Sequence, residues 1–251
     1  MVIHRHEKIQ RGRPGEQLEL RPSRGGKRKG AGRKPKGARR GTPHLARADI
    51  DGRAPVHVTI RMRPGLPTLR SKNGHRAFVK AALGARERLG MRLVAWSLQR
   101  DHMHLLVEAD SADALWRGMT GLETRFVRAF NARTKRTGPA LADRYHARVL
   151  QHPREVRNAL VYVFANARHH LGTAPARGPS WIDPWSSGPW FDGRGDAAAL
   201  AAALRRELER VLMEERFDLS RGPPVAEPNV WLLTTGWQRH GLISSTEAPA
   251  S

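Results

Sequence analysis

The sequence predicts an α+β fold of the ferredoxin-like βαββαβ type, an antiparallel sheet with helices on one face, followed by one further helix. Two observations carry this prediction. Between residues 55 and 172, segments that alternate apolar and polar residues are interleaved with segments whose apolar residues recur every three to four positions. Their order is strand, helix, strand, strand, helix, strand, helix, and the first six are the split βαβ arrangement.

The first strand is Val56 to Met62 (VHVTIRM), β-branched and alternating, ended by Pro64 and Pro67. His75 to Leu89 carries apolar residues at helical spacing and meets Gly90, which reads as a helix stop. Met91 to Leu98 and Asp101 to Glu108 read as a strand pair with a short turn at Arg100-Asp101. Asp113 to Thr134 is a long helix, broken by Gly138-Pro139. Leu141 to Leu150 is a more polar fourth strand. Pro153, suited to a helix start, opens a helix over Arg154 to Leu171, and Gly172 closes it.

Three regions follow. Residues 1–54 are a basic arm, expected to be disordered alone; 55–172 are the folded domain; 173–251 hold a Trp-rich linker, an amphipathic helix over 196–217 and a polar tail. No internal repeat occurs. The chain has 251 residues with 45 Lys/Arg against 23 Asp/Glu, a net charge of +22. The arm has 16 Lys/Arg against 5 Asp/Glu, so +11 sits in about a fifth of the chain. That excess calls for a polyanion, and nucleic acid is the commonest. An Arg-rich coding bias is the plain alternative. Arg11-Gly12-Arg13-Pro14 matches the core of an AT-hook, which lays Arg in a narrow minor groove; with Arg33, Lys34 and Lys36 it reads equally as a generic polybasic tail.

With no Cys, disulfide frameworks, thiolate metal sites and cysteine nucleophiles are excluded. No apolar run approaches the ~20 residues of a membrane span, and the N-terminus has no apolar signal core. The expectation is a cytoplasmic, nucleoid-associated bacterial protein with no membrane partner.

His102-Met103-His104 is the sharpest candidate site. In a strand, residues two apart share a face and lie about 6.6–7 Å apart, so both imidazoles can converge on one ion while Met103, Leu105 and Val107 face the core. The alternative is coincidence, since the chain has 12 His. Of the two tyrosines, Tyr162 lies in the helix after the fourth strand with Asn166 one turn on, so phenol and carboxamide share a helix face. A phenol can be a covalent nucleophile and an amide oxygen can ligate a hard cation. Tyr145 lies in the fourth strand. For either tyrosine, core packing is the ordinary role.

The run Gln99-Arg100-Asp101-His102-Met103-His104-Leu105-Leu106-Val107-Glu108 resembles the His-hydrophobe-His (HUH) motif of single-tyrosine transposases. Tyr162-Val163-Phe164-Ala165-Asn166-Ala167 resembles their catalytic helix, and Arg144-Tyr145-His146-Ala147-Arg148-Val149 the segment between. The subgroup most resembled is the REP-associated tyrosine transposases, over roughly residues 55–172; Gly236-Trp237-Gln238-Arg239-His240-Gly241-Leu242-Ile243 is similar to a segment of longer members. Asp101 stands where many members have Asn, and Ala167 where Pro is common.

The resemblance implies nicking and joining of single-stranded DNA, with recognition of a DNA hairpin. Tyr162 would be the nucleophile, forming a 5′-phosphotyrosine, and His102, His104 and Asn166 would hold Mg²⁺ or Mn²⁺. Candidate contacts to the DNA backbone are Arg100, Arg125, Arg128, Arg133, Lys135, Arg136, Arg144 and Arg148, each equally readable as a solvated charge. Tryptophans either stack on unpaired bases or anchor the C-terminal tail. Related enzymes occur as homodimers and as monomers. The alternatives are a non-catalytic DNA-binding regulator of the same fold, a replication or mobilisation nuclease of the wider HUH class, and a basic RNA-binding protein.

Overall fold

The computed structural model describes residues 50–170, 182–193, 195–220 and 222–247. The basic arm, with Arg11, Arg13, Arg33, Lys34 and Lys36, lies outside the described residues, as does Trp181.

The elements in chain order are β1 (Val56–Arg61), α1 (Lys72–Leu83), β2 (Glu87–Arg88), β3 (Met91–Leu98), β4 (His102–Ala109), α2 (Ala112–Arg133), β5 (His146–Val149), α3 (Pro153–His170), α4 (Ala198–Glu214) and α5 (Trp231–Thr234), with 3₁₀ turns at Gly188–Trp190 and Gly236–His240. The strands form one sheet in the order β2-β3-β4-β1-β5. Every pairing in it is antiparallel. The α+β class and the antiparallel βαββαβ core expected from the sequence are the observed fold.

Strand alternation sorts the side chains into two cores. Val56, Val58 and Ile60 of β1, Met103, Leu105 and Val107 of β4, and Leu93, Trp96 and Leu98 of β3 pack with Phe78 of α1 and with Phe126 and Phe130 of α2. Each such buried side chain contributes about 1.5–3 kcal/mol, so this face carries most of the apolar stabilisation. On the other face Ala95 and Leu106 meet Val156, Leu160, Val163 and Phe164 of α3, with Leu232, Leu233 and Trp237 from the C-terminal segment. The sheet is thus covered on both sides, α1 and α2 on one and α3 on the other. The register shift between Leu93 and Ala95 switches the parity of β3, so that Leu93 before it and Trp96 and Leu98 after it all reach the α1/α2 core.

Three differences from the sequence expectation have local causes. First, α1 begins earlier, because the Ser71 hydroxyl accepts a hydrogen bond from the Gly74 amide and caps it. Gly74 is required there: a Cβ would stand 2.4 Å from the Leu69 carbonyl oxygen. Second, α1 ends at Leu83 rather than Leu89, and the chain makes a fifth strand. Glu87 pairs with Arg92 and Arg88 with Met91. The two residues between, Leu89 and Gly90, have φ of 56° and 76°. Two consecutive positive φ values define a type I′ hairpin turn, so Gly90 closes a hairpin and not a helix. Third, only His146–Val149 of the segment 141–150 forms a ladder, with an isolated bridge from Leu141 to Met62. Asp143 takes the Arg144 amide at 2.8 Å, offering the backbone a local partner in place of the ladder.

The C-terminal segment is built into the sheet domain. The Leu98 amide donates to the Trp185 carbonyl at 2.9 Å, and the Ser187 amide to the Trp96 carbonyl at 2.9 Å. Buried Asp183 accepts two bonds from Arg70 at 2.7 and 2.9 Å. Buried Glu108 accepts the amides of Asn229 and Val230 at 2.8–3.0 Å. On α3, Arg157 donates to Glu247 and to the carbonyls of Gly241 and Leu242. Trp237 is buried against Phe191 and donates its indole N–H to the Leu233 carbonyl. Among the described residues no helix is long and apolar enough to cross a membrane.

Candidate active site

The alternation that sends Val58, Ile60, Met103 and Leu105 into the α1/α2 core turns His57, Thr59, His102 and His104 toward α3. Thr59 stands directly across from His104, and Arg61 across from His102. On the other side of β1, His57 opposes Arg148 and Thr59 opposes His146. The rings of His102 and His104 are 4.8 Å apart at 85°.

From above, α3 brings Tyr162 to this face. Its ring meets His104 edge-on, 4.9 Å between centroids at 80°, and His57 at 5.8 Å and 70°. Tyr162 is partly exposed, so a ligand can reach it. One turn on, Asn166 is fully buried. Neither its amide oxygen nor its amide nitrogen has a hydrogen-bond partner among the described residues. Leaving a buried amide unpaired costs about 1–3 kcal/mol, so the carboxamide is a candidate to face a ligand.

The surroundings tune the imidazoles. Burial, then the charges of His146 and Arg148, push the His57 pKa down to about 4, so its ring is neutral at physiological pH. His102 Nδ1 lies 2.9 Å from the Asp101 carboxylate. That hydrogen bond holds the Asp101 carboxyl below its usual range. His104 Nδ1 lies 3.2 Å from the Thr59 hydroxyl and 3.3 Å from His57 Nε2.

The described residues contain no group of three or more His, Cys, Asp or Glu able to hold a metal. The set that the sequence singles out is of another kind: two imidazoles and the carboxamide of Asn166. Imidazole nitrogens are borderline donors suited to transition ions, the carboxamide oxygen of buried Asn166 suits a hard cation, and the set includes no carboxylate.

The two tyrosines separate cleanly. Tyr145 is 5% exposed and belongs to the α1/α2 core. Tyr162 alone lies against the histidines. The sequence-selected cations also separate. Arg125, Arg128 and Arg133 ride on α2, in the layer opposite the histidines, and Lys135 and Arg136 follow its end. Arg125 donates to the Gly121 carbonyl, Arg133 lies over Phe217, and Arg136 grips Asn131. Arg148 is on β5 beside His57, paired with Glu155 at 2.6 Å. Arg100 is exposed one residue before the Asp101-His102 pair, and Arg144 is partly buried just ahead of β5.

Sequence reasoning missed His57, Thr59, Arg61 and His146. The signal was present for the first three, since the alternation of Val56–Arg61 gives them one shared face. The pairing of β1 with β4, which sets that face beside the His-x-His, is a long-range fact. Trp185, Trp190 and Trp237 pack into the protein, whereas Trp116 and Trp231 are about half exposed. A cavity of about 330 Å³ lies between α3, β3 and the C-terminal segment, walled by Phe164, Trp190, Phe191 and Trp237. It is distinct from the histidine cluster.

No protein-family model matches the chain, and no curated protein matches it. Among solved structures it is similar to a REP-associated tyrosine transposase bound to a REP hairpin, with a TM-score of 0.47 and 16% identity, covering 58% of this chain and 82% of that one.

Proposed function

We propose that the chain is a single-strand DNA nicking and joining enzyme that works through a 5′-phosphotyrosine on Tyr162. The observation that carries this reading is the edge-on seating of the Tyr162 ring against His104 and His57. In the forward step the Tyr162 oxygen attacks a backbone phosphorus. The bond from phosphorus to the 3′ oxygen breaks, the phenol loses its proton, and the departing 3′ oxygen takes one up as a free hydroxyl. The new phosphotyrosyl ester keeps the bond energy, so attack by another 3′-OH rejoins DNA without ATP. His102, His104 and Asn166 would hold the divalent ion, which when bound polarises the scissile phosphate. A phenol of ordinary pKa about 10 needs help to ionise at neutral pH. Arg61, across from His102, and Arg148, across from His57, lie on the same face and would hold the strand's phosphates. The +22 charge of the chain adds a salt-sensitive attraction to DNA.

The test is incubation of the full chain with a labelled oligonucleotide, a hairpin with single-stranded flanks, plus Mn²⁺. A covalent protein–DNA species is expected. Tyr162→Phe abolishes it while hairpin affinity stays within about threefold, and His102→Ala removes metal-dependent cleavage. Tight hairpin binding with no adduct under any ion would instead make the protein a DNA-binding regulator.

A further inference from the structure

Both imidazoles of the His-x-His pair are held by the same ring nitrogen. His102 is held through Nδ1 by the Asp101 carboxylate at 2.9 Å. An ionised carboxylate only accepts, so His102 Nδ1 carries a proton, which leaves Nε2 as the nitrogen that can offer a lone pair. His104 is also engaged at Nδ1, by the Thr59 hydroxyl at 3.2 Å and by His57 Nε2 at 3.3 Å. Two groups converging on one ring nitrogen suit a single N–H shared between two acceptors, a common three-centre arrangement. An sp² nitrogen has just one in-plane lone pair and accepts two donors poorly. On a five-membered ring Nδ1 and Nε2 point in divergent directions, so a ring tied at Nδ1 to β1 offers Nε2 elsewhere.

We propose that Thr59 and His57 are positioning residues for His104. From the neighbouring strand they hold its ring as the Nδ1–H tautomer, as Asp101 does for His102 from the preceding residue, so that both rings present an Nε2 lone pair. The cross-strand register makes Thr59 the nearer clamp, since it stands directly opposite His104. His57 is the outer one, and it also touches the Tyr162 ring, so a single side chain braces both the imidazole and the phenol. A partner on the non-ligating nitrogen is the usual means of orienting an imidazole ligand, and its loss costs about 10–100-fold in metal affinity. The tautomer claim stands on the contacts alone. The affinity claim rests on the metal-ion reading above.

The test uses the full chain with ¹⁵N-labelled histidine, free of metal at pH 7.5, with long-range ¹H–¹⁵N spectra assigning each ring's tautomer. His104 is expected as Nδ1–H in the parent protein and in Thr59→Ser, which keeps the hydroxyl. It is expected to shift toward Nε2–H in Thr59→Val, which keeps the β-branched shape and removes the hydroxyl. His57→Gln retains an acceptor and checks the outer clamp without requiring Thr59→Val to fold. An Nε2–H ring in the parent, or an unchanged ring in Thr59→Val, overturns the proposal. Mn²⁺ titration of the same samples, read by electron paramagnetic resonance, is expected to show at least about 10-fold weaker binding in Thr59→Val, with Thr59→Ser near the parent. Equal binding in Thr59→Val overturns the affinity claim. A parent with the expected tautomer and no Mn²⁺ binding upholds the positioning role and overturns only the metal reading.

Discussion

The two faces of this sheet are made by the same strands and do different work. Odd-numbered residues of β4, Met103, Leu105 and Val107, and even-numbered residues of β1, Val56, Val58 and Ile60, close an apolar layer with α1 and α2. One position along each strand the character changes. His57, Thr59, His102 and His104 face α3, where Leu106 and Ala95 supply the apolar contacts. The comparison teaches that stability and chemistry are divided here by strand alternation. The first face buries a tyrosine as packing; the second leaves one partly open beside imidazoles. The second face carries the costs of such a site, a buried carboxamide with no partner among the described residues and an imidazole held neutral by burial.

The largest effect that sharpens this contrast is on acid stability, through a histidine of the apolar side. His75 of α1 is buried against Trp96 and Trp185. Burial, then the nearby Arg76, push its pKa down to about 4. The folded ring stays neutral while the unfolded chain takes up a proton below about pH 6.5. The unfolded state therefore binds more protons in this window, and stability falls from pH 6.5 toward 4 and levels off below. Chemical denaturation at pH 7.5 and 4.5 should show a loss from this ring of about 2 kcal/mol. In His75→Phe that share of the loss should vanish; an unchanged pH profile would mean the ring is not held neutral.

Next in size is Asn166→Leu. On an ordinary packed face, replacing a buried polar residue by a larger apolar one destabilises. Here the amide has no partner among the described residues, so the metal-free protein should gain about 1–2 kcal/mol, seen as a raised Tm, and lose adduct formation. A loss of stability would break the claim that this face gives up stability for function. The smallest effect is Tyr145→Phe. Removing a hydroxyl from the apolar core should cost no more than about 1.5 kcal/mol in thermal unfolding and leave adduct formation intact.

How much was legible follows the range of each interaction. The His-x-His pair, the direction of Met103, Leu105 and Val107, and the shared helix face of Tyr162 and Asn166 depend on periods of two and of about four residues, which a sequence displays directly. Leu89-Gly90 was misread because a glycine after a helix-like run serves a hairpin turn as well as a helix end, and only the pairing of Glu87 with Arg92 decides between them. Thr59 and His57 were visible as one face of β1, but their meeting with His104 joins residues 45 and 47 positions apart. The anchoring of the C-terminal segment by Arg70 to Asp183 and by Glu108 to Asn229 spans more than 100 residues and leaves no local pattern. The α2 arginines looked alike in sequence to Arg148, yet the fold sets them in the layer away from the histidines.

The central claim is that Tyr162, and not Tyr145, is the reactive phenol of this chain. Protein incubated with hairpin DNA and Mn²⁺ can be digested with protease and nuclease, and the nucleotide-bearing peptide mapped by mass spectrometry. A phosphotyrosyl nucleotide on the peptide containing Tyr162 is the predicted result. The same mark on Tyr145, or hairpin bound at full occupancy with neither tyrosine marked, would contradict it.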